Sequence, residues 1–190
     1  MMFLPTTLEV NNKEHRIRTD FRVAITIFRA FNDKTLPPYI KAMTAIQSLY
    51  IDIPDDLGEA YKKANWFLDG GDMPKSKKAP KKMLDWEQDE YIIFPALNKV
   101  AGCELRTIEY FHWWSFLGLF NEVGEGLYAQ VMNIRHKLAY GKNLEKWERE
   151  FFDTHQELIV IKERLSPEEE AGLKAEEDFI NELIGNNESW

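Results

Sequence analysis

Residues 110 to 120 read YFHWWSFLGLF, the densest aromatic run of the 190-residue chain. Wound as a helix, its less apolar positions His112, Ser115 and Gly118 recur every third residue. Tyr110, Phe111, Trp113, Trp114, Phe116, Leu117, Leu119 and Phe120 then cover most of the remaining circumference. A helix apolar nearly all round is one packed on several neighbours. Whatever the chain folds into must therefore be built around this segment. Tryptophan buries a large area and needs a partner only for its indole N–H. Trp114→Ala is accordingly expected to cost about 3–5 kcal/mol if the run is core.

The flanking periodicity is helical except at the start. TTLEV and KEHRI alternate, with Leu8, Val10, His15 and Ile17 on one side, and Asn11-Asn12 between them suits a tight two-residue turn. A lone hairpin is marginal in water, so this one must pack on helices. Thr19 is placed to cap a first helix carrying Phe21, Ala24, Ile25, Phe28 and Phe31. Leu36-Pro37-Pro38 breaks the chain and puts proline in the first turn of a second helix. Asp55-Asp56 opens a third, which Asp69-Gly70-Gly71 ends after Leu68. Further helices are expected from Asp85 to about Leu97, from Thr107 to about Phe120, after Gly126, and from Leu144 to about Arg164. Ser166-Pro167-Glu168-Glu169 is a capping box opening a last amphipathic helix. The expected fold is mainly α: seven or eight helices with an N-terminal β-hairpin.

Charge divides the chain. Residues 166–190 hold eight acids against Lys174, a net −7 of the total −8, so residues 1–165 carry about −1. The expected organisation is one helical domain over 1–165, with its hairpin at about 5–18 and a basic loop at 72–82, followed by an acidic helix or tail over 166–190. The loop, DMPKSKKAPKK, holds five lysines without apolar periodicity. It reads as a solvated linker, or as a contact for an acidic partner. Neither it nor the acidic tail suits nucleic acid. No apolar run reaches the roughly 20 residues of a membrane span. The N-terminus lacks the charged region of a signal peptide, and Cys103 is the single cysteine, which points to a reducing cytoplasm.

Candidate chemistry is sparse. Glu109 and His112 have the Glu-x-x-His spacing of helical di-metal sites, but neither His136 nor His155 repeats it. The histidines and Cys103 form no zinc cluster. No nucleophile elbow or phosphate-binding loop is present, and Cys103 is expected to be a partly buried thiol. The residues predict no enzyme, no cofactor and no metal. The weaker alternative is a metal-dependent enzyme using Glu109 and His112.

Several segments resemble one family in order. They are Pro5 to Val10 with Ile17 to Arg22, Leu84-Asp85-Trp86-Glu87-Gln88-Asp89 with Tyr91-Ile92, Glu109 to Trp114 with Leu119-Phe120, and Gln130 to Arg135. This pattern is similar to the phage and prophage "gene product fifteen" proteins, typified by a Listeria siphophage protein and encoded among tail genes just before the tape-measure gene. The resemblance implies, by gene position, a tail assembly chaperone in the host bacterial cytoplasm. Its partners would be the tape-measure protein and tail-tube subunits, with self-association a further possibility. The alternative is a structural virion protein of the tail or head–tail connector. On the chaperone reading the partner-facing residues are Trp113, Phe116, Leu173, Phe179, Ile180 and Ile184, with Lys77 and Lys78 in the basic loop. Tyr110, His112, Trp114 and Phe120 form the core signature.

Overall fold

The computed structural model describes residues 3–72, 81–162 and 171. Asn11 and Asn12 both take positive φ, 50° and 61°, and close a two-residue turn. Asparagine visits this region at lower cost than most residues, and the mirror-image turn matches the strand twist. The turn pairs strand β1 (Thr7–Val10) antiparallel with β2 (Lys13–Arg16) in the register Val10↔Lys13 and Leu8↔His15. Leu8, Val10, His15 and Ile17 are buried, as their alternation requires. The outer side of β2 is met by the chain after the second helix: Arg18 N–H donates to Leu49 O at 2.7 Å and Ile51 N–H to Arg16 O at 3.0 Å.

Helix α1 (Phe21–Asn32) begins one residue later than Thr19 would cap it. Asp20 is the cap, accepting from Arg22 N–H at 3.0 Å. Thr19 is buried instead, its hydroxyl 2.6 Å from that of Tyr110. Helix α2 (Pro38–Leu49) has proline in its first turn, and α3 (Leu57–Leu68) is capped by Asp56, both as expected. Helix α1 packs on α2, α2 on α3, and α3 on β1. Helix α3 ends at Asp69, and Gly70 and Gly71 follow with φ of 81° and 90°.

Two boundaries differ from expectation. Asp85 does cap, but only a turn: its carboxylate accepts from the N–H of Glu87 and Gln88. The helix proper, α4, is Glu90–Ala101; Pro95 lies inside it on an exposed face. Residues Leu105–Thr107 form a 3-10 turn, and the aromatic helix α5 is only Trp113–Glu122. After α6 (Leu127–Ala139) the long helix expected to Arg164 is two pieces, α7 (Lys146–Thr154) and α8 (Gln156–Ile159). His155 breaks it, with φ −127° and its ring stacked on Phe151 at 4.3 Å. The capping box at Ser166 lies outside the described residues.

The main core gathers residues of β1 and α1–α5 with Ile17 just after β2, and Phe21 stacks on Phe116 at 4.4 Å. Ile92, Val131 and Leu158 form a smaller cluster between α4, α6 and α8. Trp113 is 1% exposed and Phe116 0%. Replacing Trp113 by alanine removes a fully buried ring and a donor, so Trp113→Ala should lose about 3–5 kcal/mol. Urea denaturation should show a lower midpoint with an unchanged slope.

Candidate functional site

The aromatic segment does not enter its helix at once. Residues 108–112 cross the start of α1 before any helix forms: Phe21 N–H donates to Phe111 O at 3.0 Å, and Trp113 N–H to Thr19 O at 2.7 Å. The second carboxylate oxygen of Asp20 accepts from Phe111 N–H at 3.1 Å, so one acid fixes both α1 and this crossing. His112 is the N-cap of α5, its Nδ1 accepting from Trp114 N–H at 3.0 Å. That bond leaves the proton on Nε2, which donates to Pro5 O at 3.0 Å.

The weaker metal alternative rested on Glu109 and His112 sharing a helical face, and the structure does not give them one. Glu109 and His112 precede α5 rather than sharing a helical face, and both ring nitrogens of His112 are engaged. Among the described residues no group of three or more His, Cys, Asp or Glu is placed to hold a metal ion. Cys103, expected to be partly buried, is exposed.

The two tryptophans do one job together. Trp113 Nε1–H donates to Leu68 O at 3.0 Å and Trp114 Nε1–H to Phe67 O at 2.8 Å. These carbonyls close α3, where intrahelical donors run out. The approach is tight: a Cβ on Gly71 would lie 3.0 Å from Trp114 Cη2, and its φ of 90° independently favours glycine. Trp113 and Phe116, expected among partner-facing residues, are thus core residues, and as folded neither is available to a partner. Of the core signature, His112 is buried, Trp114 and Phe120 are partly buried, and Tyr110 is exposed at 54%, held by its bond to Thr19. Lys77, Lys78, Leu173, Phe179, Ile180 and Ile184 lie outside the described residues.

A second centre had no counterpart among the expected sites. Arg135, on α6, is buried and bonds Asp89 in a two-pronged pair at 2.6 and 2.7 Å. Its remaining donors reach Met83 O at 2.9 Å, Leu158 O at 2.8 Å and Ile159 O at 2.8 Å. All five guanidinium N–H groups are satisfied. Asp89 also accepts from Asp85 N–H at 2.9 Å, so its carboxylate is too committed to cap α4. Burial pushes the nearby Tyr128 hydroxyl up to about 12, with the Asp89 charge adding to it. Both members of the pair stand in stretches that carry the family resemblance, but nothing local said that those stretches meet.

A second buried acid, Glu148, joins α7 to α6. It accepts from Lys137 Nζ and Asn133 Nδ2, each at 2.7 Å, and from Glu145 N–H at 2.7 Å. Burial raises its pKa, but the Lys137 ammonium and the amide donors outweigh that and hold it below the ordinary glutamate range.

The chain matches the family described as "Bacteriophage Gp15 protein" over residues 2–160. It belongs to the bacteriophage Gp15 protein family. Membership supports a role in phage structure or morphogenesis in general. Comparison with curated proteins and with solved structures finds no match. No helix of the described residues is long and apolar enough to cross a membrane.

Breaking the Arg135–Asp89 pair from one side leaves a buried charge unpaired, so Arg135→Met or Asp89→Leu should each cost about 3–5 kcal/mol. The double variant should recover a substantial part of that loss in the same denaturation assay. For Glu148, the native pKa is below the unfolded one. Its stabilisation is therefore present above the ordinary glutamate range, about 4.3, and is lost as pH falls through the lowered native value. Glu148→Gln should be less stable than the parent at pH 7 and show a shallower fall in melting temperature between pH 5 and pH 3.

Proposed function

We propose that this Gp15-family protein acts in phage tail morphogenesis as an assembly chaperone, binding the tape-measure protein, tail-tube subunits or both in the host bacterial cytoplasm without a catalytic step. The observation that supports this reading is the family match over residues 2–160, and the buried polar groups have structural roles beside it. Asp89, His112, Arg135 and Glu148 are each tied to structural partners, and no buried side-chain nitrogen or oxygen of the described residues lacks one. Groups satisfied in this way rigidify the fold and join its elements. What is left to interact is surface: Tyr39, Tyr91, Tyr110 and Trp147 are large side chains exposed at half or more of their area. Aromatic residues of this kind dominate binding energy when a partner covers them. The choice of partner rests on the gene position of the family.

Co-expression with the tape-measure protein encoded beside it should yield a soluble complex that co-purifies. An insoluble tape measure, with this protein alone in the supernatant, would overturn the reading. Purified virions analysed by mass spectrometry should lack the protein; finding it there at fixed stoichiometry would make it a structural component instead.

A further inference from the structure

The two edges of the hairpin are not equivalent. Thr6 O accepts from Ile17 N–H at 3.0 Å, and the register pairs Leu8 with His15 and Val10 with Lys13. Thr6, Leu8 and Val10 thus spend their backbone groups on β2. Thr7 and Glu9 direct theirs the other way. The outer edge of β2 is covered by residues 49–51, but among the described residues no backbone partner meets Thr7 or Glu9. Uncovered edges are commonly blunted by shortness, charged side chains, proline or a bulge, and β1 is short and carries Glu9. Thr7-Leu8-Glu9-Val10 nevertheless holds no lysine, no proline and no bulge.

This free edge faces an open groove of about 630 Å³, with β1 on one side and α3 on the other. Asn11 Nδ2–H donates to Asp56 at 3.1 Å at one end, beside the start of α3. Trp66, pinned by its bond to Asp72 at 2.9 Å, stands with Pro5 at the other end. Strand and helix therefore run in opposite directions. Four strand residues span roughly 14 Å, and twelve helical residues roughly 18 Å, so the two walls match in length.

We propose that this groove binds an extended segment of a partner protein by strand addition to β1, a mode independent of the chaperone reading. The backbone of the segment would exchange hydrogen bonds with Thr7 and Glu9, as the spare donors and acceptors demand. Leu8 and Val10 point inward, so alternate side chains of the added strand face the flank of α3. There the Pro5–Trp66 end takes an apolar side chain. Further along, Lys62 and Lys63 share one carboxylate, Glu59, at 3.6 and 4.0 Å. That wall takes an acidic side chain. The other two acids of the groove are placed apart from it: Glu9 on the strand itself, and Asp72 on the Trp66 indole.

The test begins with amide hydrogen exchange of the full chain without a partner. Leu8 and Val10 should be protected while Thr7 and Glu9 exchange fast. Protection of all four, whether independent of concentration (the chain's own segment on the edge) or rising with it (a second copy), overturns the proposal. A displayed library of random 12-residue peptides should then select binders with apolar and acidic residues two apart. N-methylation of alternate residues in the selected peptide should abolish binding, and methylation of the intervening ones should not. Thr7→Pro removes an N–H the hairpin does not use, so it should keep its melting temperature and weaken the peptide about tenfold. Lys62→Glu with Lys63→Glu should weaken it as well. Failure to select any peptide, N-methyl effects without alternation, or full binding by folded Thr7→Pro would each sink the idea.

Discussion

A charged guanidinium is costly to take out of water, and Arg135 is tolerable inside this fold only because all five of its donors find acceptors. That requirement reaches far along the chain. It draws in Met83 and Asp89 from before α4 and the last two residues of α8. Helix α4 begins directly after Asp89 without a side-chain cap, that carboxylate being turned to Arg135 instead. Residues 156–159 must turn away from the axis of α7 for Leu158 and Ile159 to aim their carbonyls at one side chain. Lysine could not substitute here, since a single ammonium with three donors cannot meet two carboxylate oxygens and three separated carbonyls.

The aromatic segment plays the corresponding part for the other half of the molecule. Its first residues form backbone bonds across α1, and its tryptophans close α3. Its phenylalanines then fill the space between α1 and α4, where Phe116 lies within ring contact of Phe21 and Phe94. The segment is thus a hub with polar fastenings as well as an apolar filling. The indole N–H groups, which would be a cost in a purely apolar interior, are aimed at helix-terminal carbonyls that need donors.

What was legible from the residues was what local chemistry decides. Asn11-Asn12, the Pro37-Pro38 opening, the Asp56 cap and the Gly70-Gly71 stop act within a few residues of themselves, and the structure has each where local rules put it. The apolar alternation of the hairpin was readable for the same reason. The misplacements share the opposite cause. Thr19 loses the cap of α1 to Asp20 because a tyrosine 91 residues away claims its hydroxyl. The aromatic helix starts six residues after Thr107 because Phe111 and Trp113 spend their backbone groups on α1. Treating the whole run as helix is what placed Glu109 and His112 on one face. For the Arg135 centre the only signal was that Asp89 and Arg135 stand in stretches resembling the same family. Pairing information of that kind lies outside any single window of sequence.

The crossing of residues 108–112 over α1 also sets an order of events for a chain emerging from the ribosome. Pro5 O waits for His112, 107 residues later, and Asp20 for Phe111, 91 residues later. Helices α1, α2 and α3 can gather on one another beforehand, since each packs on its neighbour in sequence. The last carbonyls of α3, at Phe67 and Leu68, and Pro5 O ahead of the hairpin stay open to water until the aromatic segment arrives. Closing loops of that length is slow compared with forming local helices. The N-terminal half is therefore synthesised as an unfinished shell that a single late segment completes, and a ribosome halted before residue 112 would carry that shell without its filling.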